Sequence, residues 1–152
     1  MGQTISEPTT TENSWIEEQL NVAVRFVSSY SLPDSDKPLA LDALDKAFKS
    51  WLASNPAPEM ANGVVNAVGI AFGDSLVRSG AFRWVIVSDE YGTDLAVRAL
   101  PGQGDVLVFP ADFVTKRWER HEADFLGRSF AEIMASVRSI RDEWQSHKPK
   151  LM

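Results

Sequence analysis

The sequence predicts an α+β domain with three N-terminal helices, a three-stranded antiparallel meander and two C-terminal helices. Three observations carry that reading. Apolar residues recur at steps of three and four before residue 80 and again after residue 110, the spacing of one helix face. Between Phe82 and Phe109 the period shortens to two, the spacing of one strand face. The strand-like runs are separated by short glycine-containing turns, which join neighbouring antiparallel strands rather than the crossovers a parallel sheet needs. Helices segregated from strands place the chain in the α+β class.

Residues 1–13 are polar and read as a disordered tail ahead of a single domain over 14–146, with 147–152 a frayed tail. Ser14 and Glu17 have the spacing of a capping box, so the first helix is expected to open at Ser14. Ile16, Leu20, Ala23, Val27 and Tyr30 form its apolar face. Residues 31–38 are turn-rich, and a second helix carries Leu41, Leu44, Phe48, Trp51 and Leu52 up to Ser54. Pro56 and Pro58 separate it from a third helix over about 59–79, because proline removes a donor but is tolerated in a first turn. Two glycines inside that helix, Gly69 and Gly73, cost about 1 kcal/mol each relative to alanine, so close approach of another backbone is expected there. Gly80 suits a left-handed C-cap.

Strands follow at 82–87, 95–100 and 106–109, joined by turns at Asp89–Gly92 and Pro101–Gly104. Trp84, Ile86, Val97, Val106 and Val108 are the expected helix-covered face. A helix from Pro110 to about Asp124 and a last helix opened by Ser129 with Glu132 complete the chain.

The 152 residues, 44% hydrophobic and 24% charged, are those of an ordinary single domain. The absence of cysteine excludes disulfides, thiolate metal sites and a cysteine nucleophile. No signal-peptide pattern and no run of about 20 apolar residues is evident, so a cytoplasmic protein without a membrane partner is expected. A net charge of −6 disfavours nucleic acid, whose binding requires phosphate neutralisation, and suits a basic protein partner.

Motifs for chemistry are sparse. His121 and His147 have no ligand at metal spacing, and no phosphate-binding glycine loop or serine nucleophile elbow occurs. No cofactor, metal or catalytic residue is assigned. Asp74, Asp89, Glu90 and Glu119 fall at element ends, where sites commonly form, and Asp74 with Glu90 or Glu119 is the pair a carboxylate-dependent hydrolase or transferase would use. Turn capping by Asp74, Asp89 and Glu90, with Glu119 paired to a surface Lys or Arg, is the simpler expectation. Lys116, Arg117 and Arg120 read as a solvated helix face beside a core Trp118.

Ala71–Asp74, Trp84, Asp89-Glu90-Tyr91-Gly92, Ala96–Arg98, Phe109-Pro110 and Lys116-Arg117-Trp118-Glu119 occur in that order. Over residues 60–122 the chain thereby resembles the bacterial family catalogued as domain of unknown function 3806. The resemblance implies no activity. It does single out Asp74, Trp84, Asp89, Glu90, Tyr91, Arg98, Lys116, Arg117 and Glu119 as candidate motif or interaction residues. Gly73 is expected to admit a tight helix–sheet contact, Asp74 to bond the Asp89–Gly92 turn, and Arg98 to pair with Asp74 or Glu119. The function expected is a non-catalytic protein-binding module, of the kind an immunity protein against a basic toxin or effector represents. The carboxylate-dependent enzyme, or an interaction domain with another partner, is the alternative.

Overall fold

Pro58 opens the helix around which most of the other elements pack. The computed structural model describes residues 2–30 and 38–146. In chain order the elements are β1 (Thr4–Ser6), α1 (Thr10–Ser28), α2 (Leu41–Ala53), α3 (Pro58–Arg78), β2 (Arg83–Asp89), β3 (Gly92–Ala99), β4 (Val106–Val108), α4 (Pro110–Glu119) and α5 (Leu126–Ser146). The α+β class holds. The expected three-stranded meander is corrected to a four-stranded antiparallel sheet in the order β1-β2-β3-β4.

The added strand lies in the stretch read as a tail. Thr4-Ile5-Ser6 pairs with Ser88-Val87-Ile86. One apolar residue in three gives too little alternation to signal a strand, and Ile5 earns its place only by packing on Val85 and Val87. The first helix also starts earlier than Ser14. Thr9 Oγ1 accepts from Glu12 N at 3.3 Å and Glu12 Oε1 accepts from Thr9 N at 2.8 Å, a complete capping box one turn upstream. Most of the 31–38 break and all of 147–152, with His147, lie outside the described residues.

α3 is apolar nearly all round, with Val65, Val68, Ile70, Phe72 and Leu76 buried, as a central helix must be. It touches α1, α2, α4, α5, β2 and β3. By length and composition it is apolar enough to cross a membrane, contrary to the expectation that no such run exists, and 61% of its most apolar window is buried inside the domain. Its glycines are explained by what lies against them. A Cβ on Gly69 would meet the backbone of Ala111 in α4, and one on Gly73 would meet Trp84 in β2 and Pro110. Phe72 of α3 then stacks on Phe113 of α4, with ring centroids 5.1 Å apart and planes 7° from parallel. Gly80 follows α3 with φ +89°, the left-handed conformation that ends a helix at little cost to glycine.

The sheet has two faces. Trp84, Val97, Val106 and Val108 pack onto the helical core, and Ile86 is buried in the same alternation. On the opposite face Val85, Val87 and Ala96 form a separate small cluster with Ile5, Leu107 and Phe109, all from strands or their immediate flanks. An antiparallel sheet tolerates one face without helices.

The last helix begins at Leu126, not at Ser129. Ser129 sits one turn inside it, buried, with its N–H on Phe125 O at 2.7 Å. The cap comes from elsewhere: Asp45 in α2 accepts from Leu126 N at 2.9 Å through Oδ1 and from Gly127 N at 3.0 Å through Oδ2. Burial raises the Asp45 pKa, opposed by those two backbone bonds and reinforced by Asp124 and Asp42.

Candidate functional site

Positive φ is the first demand of the β2–β3 hairpin. Gly92 takes φ +142° at its tip, and Asp89 Oδ1 accepts from Tyr91 N at 2.8 Å, closing the turn on its first residue. Asp89 therefore bonds within its own turn. Tyr91 is left with nothing over it and is 89% exposed, an unusual position for a large aromatic ring. Beside it runs a cleft of about 400 Å³ whose walls include Asp89, Tyr91, Asp94, Asp112, Val87 and Phe109.

Its three carboxylates come from three elements. Asp89 ends β2, Asp94 lies on β3 and Asp112 sits in the first turn of α4, where negative charge complements the helix dipole. Asp112 also meets Lys116 at 3.1 Å along its own helix, and Asp94 Oδ1 accepts from Leu95 N at 3.1 Å. Glu90 is exposed on the same hairpin tip. The apolar floor of Val87 and Phe109 under an acidic, aromatic rim suits a Lys or Arg side chain, whose alkyl stem can lie on the floor while its charge meets the carboxylates. Among the described residues, no group of His, Cys, Asp or Glu is arranged to hold a metal ion.

The other candidate residues are dispersed. Asp74 does not reach the Asp89–Gly92 turn. It pairs with Arg78 one turn along α3, Arg78 Nε to Asp74 Oδ2 at 2.8 Å, and lines a cleft of about 310 Å³ with Leu20, Leu39 and Ala71. Glu119 lines a third cleft with Trp118, His121 and Asn55. Asp74, Asp89 and Glu119 thus stand in three separate clefts, and no acid–base pair is formed from Asp74 with Glu90 or Glu119. Trp84 lies over Gly73. Lys116 is on the surface, as expected, but Arg117 is half-buried. Its guanidinium stacks 3.8 Å from the Phe113 ring centroid, Nη1 donates to Phe113 O at 3.4 Å, and Nε has no hydrogen-bond partner among the described residues.

Arg98 pairs with neither Asp74 nor Glu119. Its Nε donates to Asp105 Oδ1 at 3.1 Å and its Nη2 donates to the same oxygen, while Gly102 N donates to that oxygen at 3.1 Å. Asp105 is reached because Leu100 and Asp105 both adopt positive φ, folding the β3–β4 connection tightly back. The Arg98 bonds, then the Gly102 N–H, hold the Asp105 pKa below the usual carboxylate value. A lowered folded-state pKa contributes stability that is present above the unfolded value and lost as pH falls through the folded one. Thermal scans of Arg98→Ala should therefore show a melting temperature below wild type at pH 7, and a gap that closes as pH falls below the ordinary carboxylate value of 3.8. A pH-independent gap would mean that Arg98 acts by packing alone.

Sequence reasoning missed Asp94, Asp112 and Asp45. Asp94 and Asp112 carry only a weak local signal, a carboxylate after a turn and one in a helix's first turn, and the fold alone brings them together with Asp89. Neither a curated protein nor a solved structure matches the chain. A family model described as "Domain of unknown function (DUF3806)" matches residues 42–126, a wider span than the 60–122 carrying the motifs, and one that takes in nearly all of α2 and every strand but β1. Since that span is more than half of the 152 residues, the chain belongs to the DUF3806 family.

Proposed function

We propose that this protein is a non-catalytic protein-binding module that takes a basic partner against the hairpin end of its sheet. The observation that carries the reading is Tyr91, 89% exposed at the β2–β3 tip beside the cleft that Asp89, Asp94 and Asp112 line. Exposed tyrosines that fold against a partner are frequent binding hot spots, and carboxylates around one steer a basic surface toward it. The net charge of −6 adds long-range attraction of the same sign. Neutralisation of a basic toxin or effector, the task of an immunity protein, is the most specific form of this reading.

The test compares the immobilised wild-type protein with Tyr91→Ala and Asp94→Lys at near-physiological salt. Both positions are exposed, so both variants should keep the wild-type melting temperature. Expected is one stoichiometric basic protein retained by the wild type, bound at least about tenfold more weakly by either variant, and toxic when expressed alone. If the wild type retains no basic protein, or both variants retain it equally, the proposal fails.

A further inference from the structure

At the open end of the same hairpin the chemistry reverses. The register sets Arg83 directly opposite Arg98. Like charges at directly opposed strand positions destabilise a sheet unless something neutralises them. Asp105 neutralises Arg98. Among the described residues no carboxylate and no hydrogen-bond acceptor engages the Arg83 side chain. Arg83 and Arg98 both line a cleft of about 420 Å³, within the size range of small-ligand sites. Ile5, Val85 and Pro101 supply apolar wall, and Glu7 is the one acidic group in the lining. The cleft has this opening because β1 stops pairing at Ser6↔Ile86, leaving Arg83–Val85 beyond the last paired position on that edge of β2.

We infer that this cleft, lined by the cross-strand pair Arg83 and Arg98, binds a carboxylate carried on an apolar body. Asp105 already balances Arg98, so the charge left to act on a ligand is that of the unpaired Arg83, which a single carboxylate matches. A phosphate dianion would overshoot and face Glu7 as well. Guanidinium forks match the planar carboxylate, donating two parallel N–H bonds. Arg83 has its full fork available, and Arg98 is held by Asp105 through Nε and Nη2 with its remaining N–H groups uncommitted to that carboxylate. The apolar wall would then cover the carrier of the carboxylate. A free aliphatic acid and the C-terminus of an apolar peptide share this chemistry. The site is separate from the acidic hairpin tip and does not depend on the partner proposed for it.

Isothermal titration of the full chain tests this with four probes: hexanoate, a short apolar peptide acid, the same peptide as its C-terminal amide, and inorganic phosphate. Saturable binding of at least one acid is expected, with the amide and phosphate much weaker. Hexanoate binding as well as the peptide identifies a free acid as the ligand, whereas tighter binding of the peptide identifies a chain end. Arg83→Ala should weaken binding about tenfold at an unchanged melting temperature, since Arg83 is exposed and unpartnered. Glu7→Gln should tighten it a few-fold. Failure of both acids to bind, equal binding of amide or phosphate, or wild-type affinity in Arg83→Ala overturns the inference.

Discussion

Gly69→Ala is expected to destabilise the protein by about 2 kcal/mol, and Gly63→Ala, six residues earlier on the same helix, to stabilise it. Both substitutions remove the same conformational freedom, worth up to about 1 kcal/mol in favour of alanine inside a helix. What differs is the neighbour. Nothing lies within 4 Å of a Cβ built on Gly63. A Cβ on Gly69 would sit 2.7 Å from Ala111 Cα, 2.9 Å from Pro110 O and 3.0 Å from Ala111 N. Those are backbone atoms at the start of α4, so no side chain can rotate away, and α4 must move off α3. Movement would loosen the Phe72–Phe113 stack and the Arg117 guanidinium lying on Phe113. Overpacking of this kind costs about 3 kcal/mol at the upper end of its usual range, leaving a net loss near the stated figure. Thermal unfolding should show a fall of about 6 °C for Gly69→Ala and a rise of about 2 °C for Gly63→Ala. Equal shifts in the same direction would mean that the α3–α4 contact is not as close as the structure has it.

That pair of glycines also shows why part of the fold is readable before any coordinates. A buried helix bearing glycine at two positions one turn apart violates local propensity, and such a violation implies a compensating contact. Strand alternation is equally legible: Trp84, Val97, Val106 and Val108 point to the core by parity alone. What stayed hidden is what depends on a partner distant in sequence. β1 is a strand only because β2 lies beside it. Its Thr-Ile-Ser sequence contains one apolar residue, and the threonine run that follows offers several equivalent caps, of which Thr9 is used. Ser14 with Glu17 and Ser129 with Glu132 match the capping pattern locally, yet both pairs fall inside helices whose ends are set by other residues. Motif order marks Asp74 and Glu119 for Arg98, whereas its partner Asp105 sits seven positions on, across a turn whose left-handed Leu100 and Asp105 no sequence pattern signals.

The candidate surface divides the same way. Tyr91 in an Asp-Glu-Tyr-Gly turn is exposed by the logic of hairpins, since a turn residue has no sheet neighbour to cover it. Its acidic surroundings needed the fold, because Asp94 and Asp112 are eighteen positions apart and meet only when β3 runs back past the start of α4. The basic counterpart at the open end is a register effect. Arg83 and Arg98 are unremarkable singly, and a shift of one residue would place them on opposite faces.

Asp45→Ala is the other substitution with a large expected effect, about 2 kcal/mol, because it strips the first turn of α5 of both its capping bonds. Leu126 is fully buried, so its N–H cannot turn to water, and an unsatisfied buried donor costs about 1–3 kcal/mol. The Gly127 N–H is exposed and recovers a water, which limits the total. The pH dependence has a definite sign. Burial raises the folded-state pKa of Asp45 above its ordinary value, so in that interval the folded protein binds more protons than the unfolded chain. Stability attributable to Asp45 is then greatest below the ordinary value of 3.8 and declines as pH rises through the folded pKa, remaining level above it. The difference in unfolding free energy between wild type and Asp45→Ala should accordingly be larger near pH 4 than at pH 7, the reverse of the Arg98–Asp105 behaviour. Urea titrations of both proteins at the two pH values measure it directly. A difference that instead grows toward pH 7 would mean that the helix dipole and the two N–H bonds outweigh burial, and that the carboxylate's charge rather than its shape holds α5 in place.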